Sequence, residues 1–299
     1  MAVKEPFMVY TVEGNEDLEI TAKTGESLLI KDVFIYNPAS NYATLRVEKT
    51  TVGYFRVGGT LGSHLGFSPS DSDKKTILGY LREKGIFTGI PVAEGETFSI
   101  DGVAQSGAIQ CIVYEKHDAE DITSEMENGS KADSYLYINY GRPSAVNDGD
   151  NLFTTTQNPA EFPDFPFGET VPSGHDMTLY GLLFSDIGKT SGTGANKQIT
   201  RYLKFIKDRE VLFDEQRQGI PCIGSAPTSD GTNIGAGSSI VGNYSDVDYR
   251  EPFMFPEPLV YHAGDELNIY INTDVTTGSA NISTSEVELG MIFKVRKVA

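Results

Sequence analysis

Four histidines and two cysteines are the side chains of this 299-residue chain best suited to hold a metal ion or to act as base and nucleophile. The histidines, His64, His117, His175 and His262, stand far apart, and none forms a His-x-His pair beside a carboxylate. A cupin-type metal site needs such a pair, because two imidazoles two apart on a strand point to the same face and reach one ion. Cys111 and Cys222 sit in the apolar stretches "IQCIVY" and "IPCIG"; with no Cys-x-x-Cys spacing they read as two buried free thiols. No Gly-x-Ser-x-Gly nucleophile elbow occurs. The glycine runs "GTLGSHLGF" and "GAGSSIVG" lack the lysine and the strand-to-helix setting of a phosphate loop, and read as surface loops.

Paired carboxylates are the remaining route to catalysis, since a glycosidase sets two of them across the scissile bond. Glu94 with Glu96, and Asp265 with Glu266, are neighbouring turn acids expected to stay solvated. With 42 acidic residues, some accidental pair is nearly certain, so proximity in sequence has little weight. "NDGDN" (Asn147–Asn151) and "SDVD" (Ser245–Asp248) offer oxygens to calcium without completing a spaced ligand loop. The chain therefore reads as non-enzymatic, with no catalytic residue, no cofactor and no metal ligand. A tyrosine-lined binding face remains, built from "YLYINYG" and "GNYSDVDYR"; with 15 tyrosines and no tryptophan, such a face departs from the usual sugar-binding module.

The formal net charge of -18 argues against direct binding of nucleic acid, which calls for a basic patch or arm to displace counterions from phosphate. No apolar run approaches the roughly 18 residues that span a bilayer, so no membrane insertion is expected. "MAVKEPFMVY" lacks the long apolar core of a signal peptide and points to synthesis in the cytoplasm.

The elements that must position these residues are strands. In "YATLRVE", Ala43, Leu45 and Val47 alternate with Thr44, Arg46 and Glu48 and so share one sheet face. Val287, Leu289, Met291, Phe293 and Val295 repeat the pattern near the C-terminus. "SLLIKDVFIY", "GAIQCIVYE", "MTLYGLLF" and "RYLKFI" are further strands, and Gly, Asn, Asp, Ser and Pro cluster between them as turns require. "KKTILGYLREKG" is the best candidate for a short helix.

A six-residue echo suggests that the strands come in two sets. "GETFSI" (Gly95–Ile100) recurs as "GDELNI" (Gly264–Ile269), and a third copy, "GESLLI" (Gly25–Ile30), shows that the motif is also a common turn-and-strand. Leu45–Phe55 aligns without a gap on Leu203–Phe213, with Leu, Lys and Phe identical at the first, fifth and last of eleven positions. Leu28–Tyr36 precedes one hairpin and Met177–Ser185 the other, and each set ends in an alternating strand, "AIQCIVY" or "ELGMIFKV". The expected fold is all-β: two tandem antiparallel β-sandwiches, jelly-roll-like, with little helix. The first takes residues 1–120 and the second 176–299. Residues 121–175 form a Pro/Phe-rich connector packed on the domains, because "NPAEFPDFPFGETVP" is too rich in proline for a central strand. Its Phe162, Phe165 and Phe167, with Phe253 and Phe255 further on, are the candidate subunit-contact residues.

Two β-sandwich units in tandem, carried by these paired blocks and free of catalytic motifs, resemble the double jelly-roll coat proteins of icosahedral viruses. That resemblance implies a viral, phage-type virion structural protein and a self-assembling capsid shell subunit. Its partners would be itself, as a homotrimer of six-sided outline, and other virion proteins, and its location the virion. It also implies outward-facing variable loops, for which "SSIVGNYSDVDYREPF" and "TSGTGANKQ" are candidates. The absence of an arginine-rich arm and of a long spine helix sets the chain apart from RNA-packaging coats and from tailed-phage shells. The alternative within the same class is a decoration, spike or tail protein that acts as an adhesin on a host-surface receptor or glycan.

Overall fold

A computed structural model of the chain describes residues 4–38, 41–57, 65, 76–119, 134–141, 145–147, 170–171, 173–187, 198–208, 210–211, 220–221, 252–275, 281–283 and 287–297. The described residues are mostly strand. The chain divides into two compact units, the first built on Met1–Asn139 and the second on Tyr140–Tyr244 and Arg250–Phe293. Most of the 121–175 connector lies outside the described residues.

Unit one contains β1 (Glu5–Glu13), β2 (Leu18–Thr21), β3 (Glu26–Tyr36), β4 (Asn41–Val47), β5 (Thr50–Val57), helix α1 (Ile77–Glu83), β6 (Ile90–Val92), β7 (Thr97–Asp101) and β8 (Ile109–Asp118). One sheet runs β1-β8-β3-β6 and the other includes β2-β7-β4-β5, with every neighbouring pair antiparallel. Chain-adjacent strands thus fall largely in different sheets, as in the two Greek keys of a jelly roll. Alternation decides which side chains meet between the sheets. Ala43, Leu45 and Val47 are buried as their spacing required, together with Ile30, Val33, Phe98, Ile100 and Ile112. Helix α1 falls within the expected segment. Thr76 caps it by accepting the Gly79 N–H at 3.0 Å, and its residues 77–81 are all buried.

Unit two begins within β9 (Ser134–Gly141) and contains β10 (Ala145–Asn147), β11 (His175–Ile187), β12 (Gln198–Lys207), β13 (Glu210–Val211), β14 (Ile220–Pro221), β15 (Phe253–Tyr261), β16 (Leu267–Val275), β17 (Asn281–Ser283) and β18 (Val287–Lys297) as far as Phe293. Strand β11 lies between β15 and β18, as β3 lies between β6 and β8. Strand β12 pairs with β16 and with the short β13 and β14, as β4 pairs with β7 and β5. The registers agree as well. Leu28 faces Val92 and Ile30 faces Ile90, while Met177 faces Tyr261 and Leu179 faces Leu259.

The echoed hexapeptides stand at the same corner of each unit, and their hydrogen bonds recur one for one. Gly95 N–H donates to Ala22 O at 2.9 Å, Ala22 N–H to Glu96 O at 3.0 Å, and Glu96 N–H to Ala93 O at 2.9 Å. In unit two, Gly264 donates to Val171 O at 2.9 Å, Val171 to Asp265 O at 2.9 Å, and Asp265 to His262 O at 3.0 Å. The two glycines have φ +79° and +91°, a region open to glycine at little cost. The "GESLLI" copy is a different turn. It opens β3, and its counterpart before β11 is Gly174, both glycines having φ +77°.

Two expectations change. The turn acids Glu96 and Asp265 do more than sit in solvent: their carboxylates accept the Ala93 and His262 N–H groups, each at 2.9 Å, and so close the turn. The ungapped match of Leu45–Phe55 with Leu203–Phe213 is also out of register. Leu45 faces Ile100 and Val47 faces Phe98, but Phe205 faces Ile269 and Lys207 faces Leu267. Leu45 therefore corresponds to Phe205, and Leu203 to Ala43. A slip of two residues returns every side chain to its own face, so hydrophobic alternation cannot detect it.

Candidate assembly surface

Among the described residues, no group of three or more His, Cys, Asp or Glu side chains is placed to hold a metal ion. His117 is buried, with Nε2 3.0 Å from Glu115 Oε2; His175 Nδ1 is 3.2 Å from Ser173 O; and His262 Nδ1 is 3.0 Å from Asp176 Oδ1. His64, the "SDVD" acids and Cys222 lie outside the described residues, and Cys111 is half-buried and free. Asp265 is tied to Lys207 Nζ at 2.9 Å. Burial works to raise its carboxyl, but the His262 N–H and the bond and charge of Lys207 outweigh that and hold it below the usual carboxylate range. Glu94 accepts the Gly25 N–H at 3.0 Å. These acids are structural partners within their own corners. No helix of the described residues is long and apolar enough to cross a membrane.

Phe162, Phe165 and Phe167 lie outside the described residues. Phe253 and Phe255, on β15, meet edge-on at 5.7 Å, and Phe255 meets Phe205 edge-on at 6.0 Å. Phe255 is 7% exposed and Phe253 half-buried, so what this pair offers a neighbour is mainly the Phe253 ring.

A larger apolar surface lies on unit one, where residue spacing alone did not mark it. Strand β1 ends its sheet, and among the described residues only β8 pairs with it. Phe7 is 69% exposed and Val9 51%. The ladder places Val9 beside Val113, Thr11 beside Cys111 and Glu13 beside Ile109; β3 then sets Phe34 beside Cys111 and Tyr36 beside Ile109. Alternation turns this whole row away from the buried Val33, Ile35 and Ile112, giving an outward face that is mostly apolar. Antiparallel sheets that face water ordinarily carry polar residues there.

Two other sheet edges among the described residues carry the usual protection. Strand β6 is three residues long and contains Pro91, and β15 exposes Pro256 and Pro258, which have no N–H to offer an incoming strand. The only proline of β1 is Pro6, near its start, so Phe7–Glu13 keeps its N–H groups. One sequence signal for this surface did exist. In "PFMVYTV" both alternate sets, Phe7 with Val9 and Met8 with Tyr10 and Val12, are apolar, a pattern proper to a strand covered on both faces.

Comparison with known proteins leaves the chain without an assigned family. No family model matches it, and no curated protein matches it. Two solved structures are similar over nearly their whole lengths. PNGase F, a glycosylasparaginase from Flavobacterium meningosepticum, is 9% identical, with 100% of this chain and 94% of that chain covered at a TM-score of 0.36. The stem and receptor binding domain of the spike protein P1 from bacteriophage PM2 is 9% identical, with 99% of each chain covered at a TM-score of 0.19. Neither likeness is close enough to carry fold or function to this chain.

Proposed function

We propose that the chain is a virion structural protein of phage type that assembles with copies of itself, as a shell subunit and without catalytic activity. The observation that carries this reading is the unprotected, apolar edge and outward face of β1 on a tandem β-sandwich. A second copy is its proposed occupant, because burying Phe7, Val9 and Tyr36 removes apolar area from water and a paired edge satisfies the open backbone groups. The negative charge suits a shell held apart from the genome, and keeps unassembled chains soluble. Three chains, each supplying two sandwiches, would give the homotrimer of six-sided outline, with other virion proteins as further partners.

Light scattering on a sizing column, followed by negative-stain imaging of the main peak, tests the proposal. A trimer of six-sided outline, or larger sheets and shells, is the expected result, and the variant pair Phe7→Lys with Val9→Lys should dissociate it. A monomer at every concentration and salt would overturn self-assembly and leave the receptor- or glycan-binding adhesin as the better reading.

A further inference from the structure

Asp32 is an acid in the middle of a buried strand, and nothing in the assembly reading uses it. It sits where β3 slips one residue against β8, between Ile30 and Asp32, and it is 7% exposed. Its Oδ1 accepts the Val33 N–H at 2.9 Å and the hydroxyl of Thr76, the residue that caps α1. Its Oδ2 is 3.4 Å from Arg82 Nη2, in the last turn of the same helix, and Arg82 Nη1 also donates to Lys31 O. One side chain therefore reaches both ends of α1, and Oδ1 can accept from Thr76 in the neutral acid as well, with the proton on Oδ2. Counted from the matched pairs Leu28 with Met177 and Ile30 with Leu179, the Asp32 position in unit two is Gly181, where the irregularity lies between β11 and β15 and puts its extra residues on β15. A Cβ at Gly181 would lie 2.5 Å from Phe253 O, so the latch is confined to unit one.

We infer that Asp32 couples its own protonation to the seating of α1 on β3, a proton-linked latch in the first sandwich. The direction follows from the environment. Burial pushes the Asp32 carboxyl above the usual range, and the Thr76 hydroxyl, the Arg82 charge and the Val33 N–H only partly offset it. The seated state thus holds the proton more tightly than the released state. Seating is at full strength below the ordinary carboxylate pKa and weakens as pH rises through the raised value. Among the described residues the charge that acts on Asp32 is that of Arg82 from α1. Along the strands, Lys31 precedes it on β3, and Glu115 stands on β8 two residues past the Val113 that faces it, with Lys31 Nζ 3.6 Å from Glu115 and His117 further along β8 against Glu115. The latch stands independently of self-assembly, because its test reads the helix alone.

The test is amide hydrogen exchange of residues 77–83 in the full chain, corrected for intrinsic rates, from about pH 4 to about pH 8 around the ordinary carboxylate value. Opening of α1 should rise by up to about tenfold per pH unit within the linkage window. The response should vanish in Asp32→Asn and widen in Arg82→Gln, which removes the compensating charge. Protection of α1 that does not change with pH would overturn the latch. So would the same pH response in Asp32→Asn, since titration of His117 or Glu115 would then be its source. An Arg82→Gln response no wider than that of the parent would also overturn it, even if Asp32→Asn failed to fold.

Discussion

The two units build one corner with the same backbone and opposite side chains. Around the echoed turn, unit one places Ser27, Val47, Val92 and Ala93, all buried. At the ladder-matched positions unit two places Asp176, Lys207, Tyr261 and His262. Lys207 lies 5.1 Å from the Tyr261 ring centroid, donates to Val260 O at 2.8 Å and pairs with Asp265, while His262 meets Asp176. The hydrogen bonds that define the turn do not change. Glu48, at φ +54°, exchanges bonds with Thr97 just as Asp208, at φ +48°, does with Glu266. A glycine, an acid and a ladder register are enough to specify this corner, and they leave the flanking side chains free to diverge.

The comparison can be broken at its core first. Phe98, fully buried, corresponds to Leu267, and Phe98→Ala should cost about 3–5 kcal/mol. Denaturant melts followed by hydrogen exchange should place that loss in the strands of unit one. Equal loss of protection in β11, β12 and β16 would mean that the units unfold as one.

Next come the two turn glycines, which have open space where a Cβ would stand. Gly95→Ala and Gly264→Ala should each cost about 1–2 kcal/mol from backbone strain alone. Values differing by more than the full effect, read from urea midpoints, would break the equivalence of the corners.

The Tyr261 hydroxyl sharpens the difference between them. It is buried without a hydrogen-bond partner, and burial, with the Asp208 and Asp265 charges, pushes its pKa up. Tyr261→Phe should therefore stabilise the protein by about 1 kcal/mol, measured as a rise in urea midpoint. A loss of stability would show that the hydroxyl has a partner in solution.

Smallest is the ion pair. Asp265, with its pKa lowered, contributes stability above the ordinary carboxylate pKa that is lost as pH falls through the lowered value. Lys207→Met should reduce stability near neutral pH by up to about 1 kcal/mol and shrink that acid-side loss. An unchanged acid limb would assign the lowered pKa to the His262 N–H instead.

Much of the fold was legible because alternation is a local property. Residues two apart share a face whatever the sheet around them, so the buried set of β4 and the strand nature of both halves followed from spacing. The short helix was legible as the segment "KKTILGYLREKG", while its Thr76 cap was seen only in the structure. The register of the second hairpin was not, because a two-residue slip leaves every face unchanged and three chance identities favoured the wrong alignment. The apolar outer face of β1 was half legible: "PFMVYTV" shows a strand that needs cover on both sides, but not which strand lies at an edge.

The sequence by itself determined the class of the protein, a tandem of antiparallel sandwiches joined by turns, because side-chain period and turn residues act over a few positions. Only the tertiary structure decided that β1 is an open edge, that Asp32 lies beneath α1, and that Leu45 stands where Phe205 does. Each of those facts is a pairing between segments tens of residues apart, set by the balance of burial and hydrogen bonding over a whole sheet, to which no local pattern has access.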